Sequence, residues 1–580
     1  MESNHSSVEV LVIGSGIGGL SAAKTYLELQ PSTDLLIVEQ RKSLGGVWAY
    51  ENCYEGLKTN NLSGTYEWPD FPMEAEKYGV KVGGHIPGMA MHKYMVDFSK
   101  HFGLYERIEF RSTVLEVEKM SDKSWNVTIE TAAADDSKSI RVINCTKLIV
   151  ASGLASKPNP ITLPGQEHFG RPIMNQGKLR TEGQAAADDP NVKSVTIIGA
   201  SKSGYDAVFL MASHGKKVDW IIRKSGGGAS AMAPPWIPLP GRGMVMIEHA
   251  ATMRYYTWMS PCIWGNYDGF GWIRSFFHGT RIGRWLTYHF WEKLRLDGVA
   301  GNGYREDESI KHLEPDEGLF WTSRVGIHNY TTKDGSIHEY VKSGQVKITK
   351  DDITELAPNG TINLAGGGQI STDCLIQTTG WSLLPSVKYS PAGIEAQIGV
   401  PHIPKDEAEV RFWSELDRRA DQEILRRFPA LQNPPKKVLP YKYDETPLRM
   451  YRGIAPPGLT VEGDNSIAFI KMVHSTSNFL IAEVQSLWAF AYLQNKLPID
   501  RDRVFWSTAL TSRYGKVRYP CGFPHEFIWD VVPYADMLLT DLGLRRWRKN
   551  TWTSEIFDGY VVQDYKGINR EWKQKFVSAA

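Results

Sequence analysis

Hydrophobic and polar positions along this chain follow two periods, and the switches between them outline one unit twice. Val8-Glu-Val-Leu-Val-Ile13 is short, apolar and rich in β-branched residues, and it runs straight into Gly14-Ser-Gly16-Ile-Gly-Gly19. From Leu20 the spacing turns helical, through Ala23 and Leu27, and stops at Pro31. Asp34-Leu-Leu-Ile-Val-Glu39 is apolar throughout its interior, as expected of a parallel strand covered on both faces. The same strand, glycine turn, helix and strand return at 194–198, 199–204, 205–213 and 217–223. Lys147-Leu-Ile-Val-Ala-Ser-Gly153 and Asp373-Cys-Leu-Ile-Gln-Thr-Thr-Gly380 are apolar strands ending in glycine. They read as the two crossings between a domain split in sequence and a second domain inserted into it.

That pattern predicts a first domain in two parts, 1–160 and 376–497, around an inserted domain, 161–375. Residues 404–446 are charged and Pro-rich and read as a surface excursion. Residues 467–472 read as a strand. Residues 478–495 read as a long amphipathic helix with Asn478 at its N-cap. The apolar stripe there is Phe479, Leu480, Val484, Leu487 and Ala491. Residues 498–580 form an extension whose role the pattern does not give.

The glycine turns carry the first chemistry. In G-x-G-x-x-G between strand and helix, the first glycine makes the tight turn and the second admits a pyrophosphate close to the backbone. The third lets helix and strand pack. The pyrophosphate then sits on the helix N-terminus, at outward N–H groups and the positive dipole end. Glu39, twenty positions after Gly19, suits two ribose hydroxyls and repels a 2′-phosphate. The second copy ends instead in Arg223-Lys224, where a guanidinium favours a 2′-phosphate. The expected fold is α/β with two Rossmann-like units, the first for FAD and the second for NADPH.

Composition narrows the setting. At roughly 150 residues per domain, 580 residues make about two to four units. Sixty-six basic against sixty-five acidic residues leave +1, so there is no electrostatic case for nucleic acid. Cys53, Cys145, Cys262, Cys374 and Cys521 are scattered without a C-x-x-C pair. That fits reduced thiols in a cytoplasmic protein and offers neither a zinc site nor a redox disulfide at a flavin. The start of the chain lacks the positive region of a signal peptide, and no run reaches 18 apolar residues. The terminal Ser-Ala-Ala is not a peroxisomal address. No metal-ligand cluster, Ser-His-Asp set or paired carboxylate is evident.

Further motifs extend the picture. Gly45-Gly-Val-Trp48, Leu57-Lys-Thr-Asn60, Asp70-Phe-Pro72, Ala151-Ser-Gly153, Thr378-Thr-Gly380, Arg452-Gly453 and the 479–497 stretch stand in order along the chain. With the two glycine turns they resemble the flavin-containing monooxygenases of the dimethylaniline monooxygenase type, over about 8–225 and 370–497. One family hallmark, F-x-G-x-x-x-H-x-x-x-Y, is degraded: the equivalent positions hold Phe169, Arg171, Asn175 and Leu179. The sequence mark that separates heteroatom oxygenation from Baeyer–Villiger chemistry is therefore missing.

The resemblance implies an enzyme that takes hydride from NADPH onto FAD and captures O2 as a 4a-peroxyflavin. One oxygen atom then goes to a small organic substrate of the secondary-metabolite kind, at N, S or C. The alternative is a Baeyer–Villiger monooxygenase converting a ketone to an ester or lactone. A non-catalytic flavin-binding protein is the outside reading. By the resemblance, Gly14, Ser15, Gly16, Ile17, Gly18, Gly19, Glu39, Gln40, Val47, Trp48, Asn60 and Asn61 hold FAD, and the backbone of Val114 meets the adenine. Thr59 and Asn60 touch the nicotinamide side, with Asn60 as the catalytic residue. Ser203, Gly204, Tyr205, Asp206 and Arg223 hold the pyrophosphate and 2′-phosphate of NADP. The positive end of the 478–495 helix would favour the negative charge of a reduced flavin.

The substrate region is the least determined. Residues 235–291 hold Trp236, Tyr255, Tyr256, Trp258, Trp264, Tyr267, Phe270, Trp272, Phe276, Phe277, Trp285, Tyr288, Phe290 and Trp291. They fall in an aromatic-rich insertion at about 228–320. Such a segment can be a packed subdomain or the wall of an apolar or aromatic substrate pocket. With Arg281, Arg284, Lys293 and Arg295 it can also be a peripheral membrane contact.

Overall fold

The computed structural model describes residues 7–328, 330–332, 335–382, 387–436, 445–520 and 527–577. Cys521 and the terminal Ser-Ala-Ala lie outside them. Two sheets carry an α/β fold. In the first, Ser7–Ile13 lies between Leu35–Val38 and the end of Lys138–Val150, parallel to both. The order across this sheet is Lys388–Ser390, Ser112–Lys119, Trp125–Ala132, Lys138–Val150, Ser7–Ile13, Leu35–Val38 and Ile108–Glu109. Ile467–Phe469 adds in parallel beside Leu148–Val150. The second sheet is parallel throughout: Val346–Lys350, Lys217–Ile222, Ser194–Ile198, Cys374–Gln377 and Ile173–Asn175.

The apolar strand interiors follow from burial on both faces. Val10, Leu11 and Val12 are fully buried, as are Ile197 and Ile198. Helices Ile17–Leu29 and Lys202–Ser213 follow the two glycine turns. Both begin before the apolar period does, because the last residues of each turn are already helical.

The helix at Asn478–Leu493 is not amphipathic. Every residue from Phe479 to Leu493 is buried, and Ser477, not Asn478, takes the cap position. Its polar members find partners inside the core, with Glu483 Oε2 alone of the two carboxylate oxygens left without a hydrogen bond among the described residues. Glu483 receives Lys24 Nζ at 2.5 Å. Gln485 accepts from Lys471 N at 2.9 Å and donates to Tyr534 OH at 2.8 Å. Lys24 also meets Asp70 at 2.6 Å and Glu28 at 3.4 Å. Burial works against its charge, but Glu483, Asp70 and Glu28 more than offset that and hold the ammonium ionised.

The 404–446 segment also differs from its expected form. Within it, Glu407–Arg427 is a helix of six turns that packs on Val504–Arg518 through Trp413, Ala420 and Ala509. Arg513 holds Asp421 across that interface at 2.6 and 2.7 Å.

The C-terminal extension is a tie between regions. Arg254, fully buried in the aromatic insertion, donates to Asp536 and Glu555 at 2.5 Å each. Farther on, Gln563 donates to Glu67, Gly567 N to Asp70 at 3.0 Å and Asn569 to Glu28 at 2.9 Å. The insertion itself is mixed. Trp264 and Trp291 are buried, whereas Trp272 is 73% and Trp285 59% exposed, on helices Gly271–Gly279 and Arg281–Gly301. Among the described residues no helix is long and apolar enough to cross a membrane.

Candidate active site

The two glycine turns are built alike. Gly14 and Gly199 sit at φ +100° and +108°, in the left-handed region. A Cβ on Gly14 would lie 2.7 Å from Ala151 O, and one on Gly199 would lie 2.5 Å from Thr378 O. Gly19 and Gly204 are tighter: an added Cβ would fall 1.8 Å from Gly14 O and 2.2 Å from Gly199 O. These four positions are glycine for the sake of the fold.

The middle position is different. At Gly16 an added Cβ would meet nothing nearer than Gly46 Cα, at 3.7 Å. The chain's own packing does not demand glycine there, and the cradle it leaves at the first turn of Ile17–Leu29 fits a pyrophosphate. The equivalent residue of the second turn is Ser201, whose Oγ accepts from Arg324 at 2.8 Å.

The strand ends also diverge. Glu39 is buried and accepts from Ser15 N at 3.0 Å, Ser15 Oγ at 2.7 Å and Arg41 N at 3.0 Å. Both Ser15 donors are on one oxygen of Glu39; among the described residues the other accepts only from Arg41 N and keeps acceptor capacity. Arg223 is half-buried at the edge of the cavity described next, with no side-chain hydrogen bond among the described residues. Burial lowers its pKa, and Asp352 opposes that. Its neighbours are committed: Lys224 pairs with Asp351 at 3.1 Å, and Lys202 holds both oxygens of Asp206 at 2.6 and 2.7 Å.

One cavity of 2310 Å³ opens between the two units; Gly199, Ala200 and Ser201 of the second turn and Arg223 line it, whereas Gly14–Gly19, Glu39 and Gln40 lie outside its lining. The first unit contributes Arg41, Val47, Trp48, Asn60, Asn61 and Tyr66. The second contributes Ala200, Ser201, Lys202, Ser203, Asp206 and Arg223, and the insertion adds Ile237, Leu239, Tyr255, Tyr256, Phe290 and Trp291. His474, Ser475, Thr476 and Asn478, at the start of the buried helix, line it too. So do Asn175 and Leu179 of the degraded hallmark run. Lys471 reaches Asn478 Oδ1 at 2.7 Å from beside Gly18, and burial pushes its amine down to about 7.

The two asparagines are held from across the cavity. Asn60 Oδ1 accepts from Ile327 N at 2.8 Å, which turns its Nδ2 toward use as a donor. Asn61 is the reverse: its Nδ2 donates to Glu248 at 2.5 Å and to Thr476 O at 2.7 Å. Both amide hydrogens are spent, so Oδ1 remains as an acceptor. Glu248 comes from the insertion and also lines the cavity. Its other oxygen accepts from Leu62 N and Thr65 Oγ1, each at 2.8 Å. Burial, against these hydrogen bonds, pushes its carboxyl up to about 7. His85 adds a third tie, facing Thr59 O at 2.8 Å and His328 O at 2.7 Å. Both partners are carbonyl oxygens, so the neutral ring donates to one and only the imidazolium to both.

Two of the residues expected from sequence turn their side chains elsewhere. Thr59 is fully buried, donates to Asn61 O at 2.6 Å and accepts from Ile86 N at 2.9 Å. Tyr205 is fully buried against Trp220 and Tyr330. Neither lines the cavity, and the Tyr205 N–H is itself spent on Ser201 O at 3.1 Å. Asp206 is a hub, accepting from Lys202, Tyr54 and Tyr330. Gln40 is exposed. Val114 lies buried in Ser112–Lys119, opposite Ile129 and outside the cavity lining. Glu248, Arg324 and His85 were not singled out from sequence. The one signal for Glu248 is a lone acid in the apolar run Met244-Val-Met-Ile-Glu248.

Comparison with known proteins places this geometry. The pyridine nucleotide-disulphide oxidoreductase family matches residues 8–233. That match covers dinucleotide-binding architecture, and the four described cysteines are free and buried. The chain is 32% identical to the FAD-dependent monooxygenase resA of Aspergillus sclerotiorum, over 97% of this chain and 98% of that one. Among solved structures it resembles cyclohexanone monooxygenase from Rhodococcus sp. Phi1 bound to NADP+ (TM-score 0.54, 14% identity, 93% of this chain and 98% of that one). It also resembles S-allyl-L-cysteine S-oxygenase from Allium sativum (TM-score 0.51, 14% identity, 99% and 97%).

Proposed function

The chain belongs to the FAD-dependent monooxygenases, and from that premise we propose that it uses NADPH and O2 to oxygenate a small apolar or aromatic organic substrate at N, S or C. The observation that carries this reading is the single cavity shared by both glycine-turn units and the aromatic insertion. FAD and NADPH, when bound, supply hydride transfer and the activation of O2.

The chain's own residues bind, orient and exclude. The first turn, with Gly16 and Gly46 facing each other, takes the FAD pyrophosphate, and Glu39 its ribose. Trp48, whose Nε1 donates to Tyr66 OH at 3.3 Å, walls the flavin side. Arg223 takes the 2′-phosphate of NADPH, and Ser203 lies with it on the cavity wall. Asn60, fixed by Ile327, presents a donor at the meeting point of the two cofactors. Tyr255, Tyr256 and Phe290 give the substrate an apolar wall that keeps water out. Exposed Trp272, Phe276, Ile282, Trp285 and Tyr288, with Arg281 and Arg284 on the same pair of helices, support peripheral contact with an anionic membrane surface.

The test is NADPH-dependent O2 uptake by FAD-loaded protein against panels of amines, sulfides, phenols and ketones, with product masses. The expected product gains one oxygen atom. Asn60→Ala is expected to keep its FAD and to release more peroxide per NADPH oxidised. An ester or lactone from the ketone panel moves the reading to Baeyer–Villiger chemistry. Protein that holds FAD and never oxidises NADPH overturns it.

A further inference from the structure

We infer that Glu248 is a positioning residue for Asn61: the aromatic insertion reaches across the cavity and sets which end of the Asn61 amide faces the flavin side. The inference rests on the FAD reading above, since that reading is what puts Asn61 against the flavin.

The argument is one of donors and acceptors. Asn61 Nδ2 has two hydrogens, and its two acceptors are Glu248 and Thr476 O. A backbone carbonyl cannot change its role, but one such contact would not by itself fix a side-chain amide whose other end faces an open cavity. Glu248 supplies the second acceptor. It is held in turn by Leu62 N, a donor that cannot be reversed. The two oxygens of an ionised carboxylate meet both demands at once, because both accept. The amide of glutamine cannot. With its oxygen on Leu62 N, its NH2 meets the Asn61 NH2 head-on, and turning Asn61 over would set Oδ1 against Thr476 O, so neither orientation satisfies both partners. Glu248→Gln therefore leaves the Asn61 amide without one satisfied orientation toward the cavity while keeping size and burial unchanged.

The groups around Glu248 leave this role to hydrogen bonding. Asn61, Leu62 N and Thr65 face it from the strand and turn of the first unit, and Tyr66, which feels its charge, is the titratable neighbour on that side. On its own helix, Thr252 bonds only its backbone oxygen. Among the described residues no ion pair reaches the carboxylate. Its ionised form, the stronger acceptor, dominates above pH 7 and its neutral form below.

The experiment compares wild type, Glu248→Gln, Asn61→Ala and the double variant. Two readouts are used: the Kd of apoprotein for FAD, and peroxide released per NADPH oxidised from pH 6 to 8. Glu248→Gln and Asn61→Ala are each expected to move one readout about tenfold, the loss of one charge-assisted hydrogen bond. The double variant is expected to match Asn61→Ala alone. Wild type is expected to leak more peroxide as pH falls through about 7, with Glu248→Gln flat over that range. Effects that multiply in the double variant, or a Glu248→Gln protein like wild type, overturn the inference. If wild type binds FAD but does not oxidise NADPH, the NADPH reading fails and the FAD affinities still decide on Glu248. A wild type that binds no FAD removes the premise and the inference with it.

Discussion

The first and second glycine-turn units share a backbone and differ in what they leave open. In both, the outer glycines are pressed against carbonyl oxygens of their own fold, Gly19 on Gly14 and Gly204 on Gly199. The middle position is glycine in one and Ser201 in the other, and the second strand ends in Glu39 in one and Arg223 in the other. Glu39 is tied into its own turn by three hydrogen bonds, whereas Arg223 stands at the cavity edge. The difference separates two kinds of motif residue: those the fold requires in either copy, and those that differ between the copies and to which the proposed function assigns the choice of ligand.

The sharpest way to break that comparison is to attack the shared part. Gly19→Ala and Gly204→Ala each drive a methyl into backbone, at 1.8 and 2.2 Å. Each is expected to cost about 3 kcal/mol or more in thermal unfolding of the apoprotein, since a backbone clash cannot be relieved by a rotamer. Tolerance at one site and not the other would show that the two turns are not equivalent.

Arg223→Ala tests the divergent part. A hydrogen bond to a charged group is worth about 1.5–3 kcal/mol, so NADPH should weaken about 10- to 150-fold with NADH little changed. Lys202 and Lys224 look in sequence like substitutes, but both are paired, with Asp206 and Asp351. The upper part of that range is therefore expected. Flavin reduction rate against concentration of each coenzyme measures it, and equal loss for both would remove Arg223 from the 2′-phosphate.

The smallest effect is the most discriminating. Gly16→Ala has room in the chain's own packing. It should leave apoprotein unfolding within about 0.5 kcal/mol of wild type yet weaken FAD about tenfold by filling the pyrophosphate cradle. Destabilised apoprotein would make Gly16 a fold residue like Gly19.

The units were legible because period and glycine placement are local properties. Apolar strands, helical spacing and the strand ends at Glu39 and Arg223 all sit within about 30 residues of their turn. What the sequence withheld is set by direction and distance. Thr59 and Tyr205 fall within the motifs, but their side chains turn into the core, which spacing does not report. The 478–493 helix looks amphipathic because Glu483 and Gln485 are polar; only its partners Lys24, Lys471 and Tyr534 show that every face is buried. Glu248 lies 187 positions from Asn61, so no local pattern joins them.

The ties between the chain's two ends set an order on its synthesis. Lys24 waits for Glu483, 459 positions later, Asp70 waits for Gly567, 497 later, and Glu28 waits for Asn569, 541 later. At about 5–20 residues per second, Glu483 follows Lys24 after roughly half a minute to a minute and a half, and until then Glu28 and Asp70 are the lysine's partners. Through that interval the nascent first unit displays an apolar helix face that the 478–493 helix later covers. The helix Ile17–Leu29 is thus among the last elements to complete its packing, although it precedes nearly all of its partners along the chain.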